Sequence, residues 1–81
     1  MIKRTRKGHL NINATVASEM RYHLKAYGKF NAYEIVDAIN NQLGNESNEQ
    51  VIISQIHSRI SKAADFGINL NRVGSYYYNN S

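Results

Sequence analysis

Four glycines, Gly28, Gly44, Gly67 and Gly74, restrict this chain to short structural elements. Glycine adopts the left-handed backbone conformations in which helices end and tight turns form, so each glycine marks a natural boundary. The segments before the first three have the three-to-four spacing of apolar residues that is typical of helices, whereas the residues around Gly74 alternate. At 81 residues the chain has room for one domain and one modest core. The pattern therefore predicts three short helices followed by a ribbon.

The first helix is predicted from Asn13 or Thr15 to about Tyr27, where Gly28 stops it. Residues 1–12 have no apolar period, so we expect a basic amino-terminal arm there, with a short extended piece at 9–12, and a single domain over residues 13–81. One face of this helix should be buried, and it carries Val16, Met20, Leu24 and Tyr27.

The second helix has the clearest start signal in the chain. Asn31 can cap its free amides while Glu34 reaches back to the cap, and Phe30 is placed to pack against Ile35. A similar signal, Ser47-Asn48-Glu49-Gln50, predicts that the third helix opens there and continues to Ala64. The buried stripe of the second helix should consist of Ile35, Val36, Ala38, Ile39 and Leu43.

The third helix divides into two faces when successive residues are placed about 100° apart. The predicted buried face consists of residues that lie on one side of this helix, namely Ile53, Ile56, Ile60 and Ala64. His57 borders this face. The opposite face contains no acid, and it consists of Val51, Gln55, Ser58 and Lys62, flanked by Ser54 and Arg59.

After Gly67 the alternating residues 68–78 predict a hairpin with its tip at 72–75. Alternation directs at least one of Tyr76, Tyr77 and Tyr78 into the core beside Ile68 or Leu70. Core or edge packing is therefore a better explanation of the tyrosines than base stacking.

The formal charge of +4 is unevenly placed. Basic residues occur in the arm and then, as Arg21, Lys25 and Lys29, in the first predicted helix, and they resume at Arg59. Between residues 31 and 58 there is no Lys or Arg, and the acids there are Glu34, Asp37, Glu46 and Glu49. A polyanion would therefore meet the two ends of the chain and be repelled by the middle, unless this asymmetry is ordinary surface charge.

Three helices with a tight turn between the second and third, followed at once by a hairpin, resemble winged helix-turn-helix domains. The resemblance covers roughly residues 13–79 and is strongest over 47–78. It is carried by Ile56 and Ile60 on a polar-faced helix, then by Ala64-Asp65-Phe66-Gly67, Ile68-Asn69-Leu70 and Arg72 near a glycine turn. It implies a mainly α fold with a small β-hairpin, and double-stranded DNA as the partner. The acidic second helix departs from the family, which usually sets that helix close to the phosphates, and leaves room for a protein partner.

On this resemblance the third helix would enter the major groove. Gln55 would suit adenine because its amide both donates and accepts, and Ser54 and Ser58 can adapt to either role. Arg59 and Lys62 would hold phosphates or a guanine edge. Arg72 would reach the minor groove or its backbone from the wing, and a second clamp would come from Lys3, Arg4, Arg6 and Lys7. The alternative for each of these residues is a solvated surface or tail.

The residue types needed for several kinds of site are missing or dispersed. There is no cysteine, and His9, His23 and His57 are scattered, so we expect structural histidines, no metal and no cofactor. Neither a glycine-rich phosphate loop nor an activated nucleophile is recognisable, so we expect no enzymatic activity. No apolar run reaches the roughly 20 residues of a membrane span.

The preferred interpretation is a small DNA-binding protein of the cytoplasm, or of the host cytoplasm if viral. It would act as a transcriptional regulator or architectural factor of viral or plasmid type, and as a homodimer, because one module gains little specificity alone. The alternative is a winged-helix module that binds a protein, for example a host enzyme, through the acidic second helix. A weaker option is RNA binding through the tyrosines.

Overall fold

The computed structural model describes residues 2–44 and 50–80. Within them, three helices are combined with a three-stranded antiparallel sheet in which β3 lies between β1 and β2. The predicted fold class is confirmed: the chain is mainly α, and its three helices and small sheet have the topology of a winged helix-turn-helix in which the β2–β3 hairpin takes the place of the wing. The elements are α1 (Ile12–Tyr27), β1 (Lys29–Asn31), α2 (Ala32–Leu43), α3 (Ile53–Ser61), a 3-10 turn (Ala63–Phe66), β2 (Leu70–Val73) and β3 (Tyr76–Asn79).

Helix α1 begins slightly earlier than its apolar spacing predicts, because Asn11 caps it. The Asn11 side chain accepts a hydrogen bond from the Ala14 amide at 3.1 Å. At the other end Gly28 has a φ of 78° and closes the helix, as predicted. The face carrying Val16 and Met20 is buried, but the prediction for Tyr27 is wrong. As the last residue before the Gly28 reversal, Tyr27 is 64% exposed.

Helix α2 has the predicted start. The Asn31 side chain accepts a hydrogen bond from the Tyr33 amide at 2.8 Å, and the Glu34 carboxylate accepts one from the Asn31 amide at 3.0 Å. Ile35 and Ile39 are fully buried in the core, where Phe30 joins them. Local capping and helical spacing therefore place this helix correctly.

Helix α3 begins later than predicted. Ser47, Asn48 and Glu49 lie outside the described residues, and the helix starts at Ile53 with the extended Ile52 before it. Val51 was expected on the outer helix face, but it is 2% exposed and belongs to the core. The reason is that residue 51 precedes the helix, so the 100° spacing does not apply to it.

Helix α3 also ends before Ala64, and the change in helix type alters which side chain is buried. The 3-10 turn that follows has about three residues per turn, so Ala63 faces the core and Ala64 is exposed. Ile56 is fully buried and Ile60 partly buried, as predicted. His57 is exposed and does not border the core as its wheel position indicated.

The wing meets the rest of the fold through Tyr77. Its ring stacks on that of Phe30 at 5.4 Å between centroids, and the two residues are paired across β1 and β3. This confirms that one tyrosine reaches the core, while Tyr76 and Tyr78 occupy the alternate positions of the strand. The hairpin strands are separated by Gly74 and Ser75 alone, a narrower tip than predicted. Strand β1 was not predicted, because three residues are too few to show alternation.

The arm is folded onto α1. Arg4 and Leu10 form an antiparallel bridge around a turn in which the Gly8 amide donates to the Thr5 carbonyl at 2.9 Å. The Lys3 amide donates to the Thr15 hydroxyl at 2.9 Å, which attaches this small hairpin to the helix. Residues 9–11 of the predicted extended piece form one side of that hairpin, whereas Ile12, the last residue of that piece, is already the first residue of α1. Within residues 2–44 and 50–80, no helix has the length and apolar character to cross a membrane.

Candidate nucleic-acid interface

The outer side of α3 forms one wall of a shallow, open groove, and the amino-terminal end of α1 forms the other. We call this the α3 groove; of its lining residues Ser54 and Ser58 are exposed, whereas Gln55 and Arg59 are half-buried. None of the lining residues is acidic. The structure therefore brings together four of the residues predicted to contact DNA. The groove is lined by Ser54, Gln55, Ser58 and Arg59 of α3 and by Ile12 and Asn13 of α1.

Gln55 is already used by the fold. Its amide oxygen accepts a hydrogen bond from the Ile52 backbone amide at 2.9 Å, so the side chain caps its own helix. A carboxamide oxygen has two lone pairs, and the amide nitrogen has two N–H groups. The side chain thus keeps a donor and part of its acceptor capacity, but its orientation is set by the cap.

Arg59 lies beside Phe66 of the 3-10 turn. Its guanidinium carbon is 5.9 Å from the centroid of the Phe66 ring, within the range of a cation–π contact. The Phe66 carbonyl accepts a hydrogen bond from Nη2 of Arg21 at 2.7 Å. Two arginines from different helices therefore meet at one residue. The sequence offered Arg21 only as one of the basic residues of the first helix, with no signal that joined it to α3.

Lys62 and Arg72 lie outside the α3 groove. Lys62 is exposed just beyond the last turn of α3. Arg72 is exposed near the wing tip, where its Nε donates to the Gly74 carbonyl at 3.0 Å and its guanidinium carbon is 6.0 Å from the Tyr77 ring centroid. These contacts fold the Arg72 side chain over its own hairpin.

The four basic residues of the arm are divided by its hairpin. Lys3 lies against α1 and lines a groove together with Asn13 and Arg21. The Arg4 guanidinium donates to the Gly8 carbonyl at 3.0 Å, while Arg6 and Lys7 are exposed in the turn. Of the four basic arm residues, Lys3 is thus the one that lines the groove beside α1.

The buried His23 lies on the α1 side of the core. Its Nε2 is 3.8 Å from Oε1 of Glu19, and its Nδ1 is buried without a hydrogen-bond partner. Burial lowers the pKa of His23 below its ordinary value, and the negative charge of Glu34 opposes this shift only in part. His9 and His57 are exposed, and among residues 2–44 and 50–80 no three His, Cys, Asp or Glu side chains gather as a metal site.

The grooves beside α1 and α3 together offer polar and basic side chains without an acid. Comparisons with protein-family models, curated proteins and solved structures found no match to this chain. The chemistry of its own surface is therefore the evidence on function. Such a surface suits a polyanion that also carries hydrogen-bonding groups, as the bases of a nucleic acid do.

Proposed function

We propose that this chain is a small protein that binds double-stranded DNA by placing α3 in the major groove. The observation that carries the proposal is the convergence of Ser54, Gln55, Ser58 and Arg59 in an acid-free groove on the helix before the wing. A domain of this size would act by occupying or bending a site, as a cytoplasmic transcriptional regulator or architectural factor.

The side chains have separate roles in this proposal. Ser54, Gln55 and Ser58 contact base edges, because hydroxyl and amide groups both donate and accept. Arg59 contacts a phosphate or a guanine edge next to them, and Lys62 contacts a phosphate at the end of the helix. More distant backbone contacts come from Arg72 on the wing and from Arg4, Arg6 and Lys7 of the arm.

A homodimer would provide the specificity that one module lacks, by reading two half-sites. Exposed aromatic side chains on α1 and β3, Tyr22, Tyr27 and Tyr78, offer surfaces for such contact. Sedimentation with and without a duplex containing two half-sites would test it. A one-to-one complex on every duplex would contradict it.

The main test is titration of a labelled mixed-sequence duplex, followed by anisotropy at several salt concentrations. Gln55→Glu is the sharpest variant, because a glutamate can keep the hydrogen bond to the Ile52 amide while it adds a negative charge to the α3 groove. We expect unchanged folding and at least about tenfold weaker binding, which corresponds to about 1.4 kcal/mol. Arg59→Gln should also weaken binding.

Lys29→Gln is the control, since Lys29 lines neither groove and its ammonium lies 4.7 Å from the Tyr76 ring centroid on the sheet. It removes the same charge as Arg59→Gln and should have little effect. Equal losses in the two variants, or no binding by the unchanged protein at low salt, would refute the groove model. Preference for single strands would instead favour stacking on Tyr76 and Tyr78.

The second candidate function is that of a protein-binding module, with the acidic α2 in its surface. The observation in its favour is that Tyr22, Tyr27 and Tyr33 are each more than half exposed on α1 and α2, while Glu34 and Asp37 are exposed on α2. Exposed aromatic residues are enriched at protein interfaces. Amide shifts on adding duplex DNA distinguish the two functions: shifts in α3 support DNA binding, and none at low salt favours the protein partner.

A further inference from the structure

A second groove continues from the α3 groove along α1. The two grooves adjoin, because Asn13 lines both of them. Lys3 of the arm, Arg21 of α1 and Phe66 of the 3-10 turn also line the second one, which we call the arm–α1 groove. It thus collects residues from three separate parts of the chain.

The position of Lys3 in this groove is set by its main chain. The Lys3 amide donates to the Thr15 hydroxyl at 2.9 Å, and that hydroxyl donates to the Lys3 carbonyl at 3.2 Å. Thr15 is fully buried. The Asn11 amide also donates to the Lys3 carbonyl, at 2.9 Å. The arm therefore presents Lys3 from a fixed place beside the helix.

Arg21 is positioned by its hydrogen bond to the 3-10 turn, which lines the same groove. One of its five N–H groups donates to the Phe66 carbonyl, which leaves donors of the guanidinium available for a ligand. The Phe66 ring lies close to Arg59 of the α3 groove. Phe66 thus contacts an arginine of each groove, Arg21 of the arm–α1 groove and Arg59 of the α3 groove.

The length and charge of the arm–α1 groove suit a nucleic-acid backbone. Asn13 and Arg21 are eight residues apart on α1, which corresponds to about 12 Å along the helix axis. That distance matches about three to four base-pair steps of a duplex at 3.4 Å each. No acid lines the groove, and Ala14 and Ala17 give it a low floor that allows close approach.

We propose that the arm–α1 groove holds the sugar-phosphate backbone of duplex DNA beside the base pairs that α3 reads, with Lys3 and Arg21 each contacting a phosphate. This inference rests on the proposed function and deepens it. It adds Arg21 to the DNA-binding residues and gives Lys3 a role separate from the exposed Arg6 and Lys7. It also places a backbone contact on α1 that does not require Arg72 to leave its hairpin.

The test measures binding of the same mixed-sequence duplex between 50 and 200 mM salt. Each phosphate contact steepens the dependence of affinity on salt by about 0.9 logarithmic units per decade. Lys3→Gln and Arg21→Gln should therefore each reduce the fall in affinity over this range by about three- to fourfold, and the double variant by about tenfold. Lys29→Gln should leave the salt dependence unchanged, because Lys29 lines neither groove.

Arg21→Lys separates the charge of this residue from its contact with Phe66. It keeps the positive charge but loses the planar fork, so the salt dependence should be retained even if the protein melts at a lower temperature. Loss of the salt dependence in Arg21→Lys as well would overturn a direct phosphate contact. If Lys3→Gln and Arg21→Gln keep the full salt dependence while Gln55→Glu weakens binding, the groove inference is wrong and the proposed function stands. If the unchanged protein does not bind duplex DNA, both are wrong.

Discussion

Asn40 of α2 controls where α3 begins, and replacing it with alanine should destabilise the protein markedly. Its amide oxygen accepts a hydrogen bond from the Val51 amide at 2.9 Å, and its amide nitrogen donates to the Val51 carbonyl at 3.1 Å. One side chain thus satisfies both backbone groups of a residue that is 2% exposed. No other hydrogen bond to the Val51 backbone is seen among residues 2–44 and 50–80.

The expected magnitude follows from these two bonds. Each is worth about 0.5–1.5 kcal/mol net, and a buried backbone group left without a partner costs about 1–3 kcal/mol. Asn40→Ala should therefore lower the free energy of unfolding by about 2–3 kcal/mol. A domain of 81 residues has about 4–12 kcal/mol in total, so this loss is a large fraction. It corresponds to a fall in melting temperature of about 10–20 °C.

Urea denaturation followed by circular dichroism would measure this loss, with Asn41→Ala as the matched control. Asn41 is the next residue of α2 and is exposed, so its replacement should change the free energy of unfolding by less than about 0.5 kcal/mol. Similar unfolding midpoints for the two variants would refute the role of Asn40. Asn40→Asp should also destabilise, because it removes the donor and sets a carboxylate against the Val51 carbonyl.

Two further predictions concern the sheet and the core. Tyr77→Ala should lower the free energy of unfolding by about 2–3 kcal/mol, because the packing on Phe30 is lost. Tyr78→Ala removes a ring from the other face of the strand and should lower it by less than about 1 kcal/mol. Equal losses for the two variants in thermal unfolding would contradict this. Burial lowers the pKa of His23 in the folded chain. As the pH falls, the unfolded chain therefore binds a proton at this histidine before the folded chain does. The stability that is present above pH 6.5 should consequently fall as the pH drops from 7.5 to 5.5. Urea titrations of His23→Phe over this range should show a flatter dependence, and an unchanged one would show that another group is responsible.

The four α3 residues that line the α3 groove were accessible from the sequence, because a helical wheel needs only local spacing, whereas Ile12 and Asn13 of α1 were not predicted to join them. Ser54, Gln55, Ser58 and Arg59 are consecutive members of one polar face, and the structure keeps them on one groove. The helical wheel did not predict that Gln55 caps its own helix, because a cap can be assigned only when the helix is known to start at Ile53. Arg21 could not be found this way, because its partner Phe66 is 45 residues away.

The sequence by itself determined the elements whose boundaries depend on near neighbours. The Asn31–Glu34 capping box, the left-handed Gly28 and the presence of a glycine turn at Gly74 each involve residues within a few positions of one another, so the signal is local. Helical spacing likewise identified the buried face of α2.

Only the tertiary structure decided the features that depend on contacts between distant segments. Strand β1 exists because β3 pairs with it, and the burial of Val51 depends on Asn40 in the preceding helix. Ala63, and not the predicted Ala64, is buried in the core because the chain changes to 3-10 geometry there, and apolar spacing does not encode that change. Such contacts form when separate elements pack, and packing and backbone hydrogen bonding then override local preference.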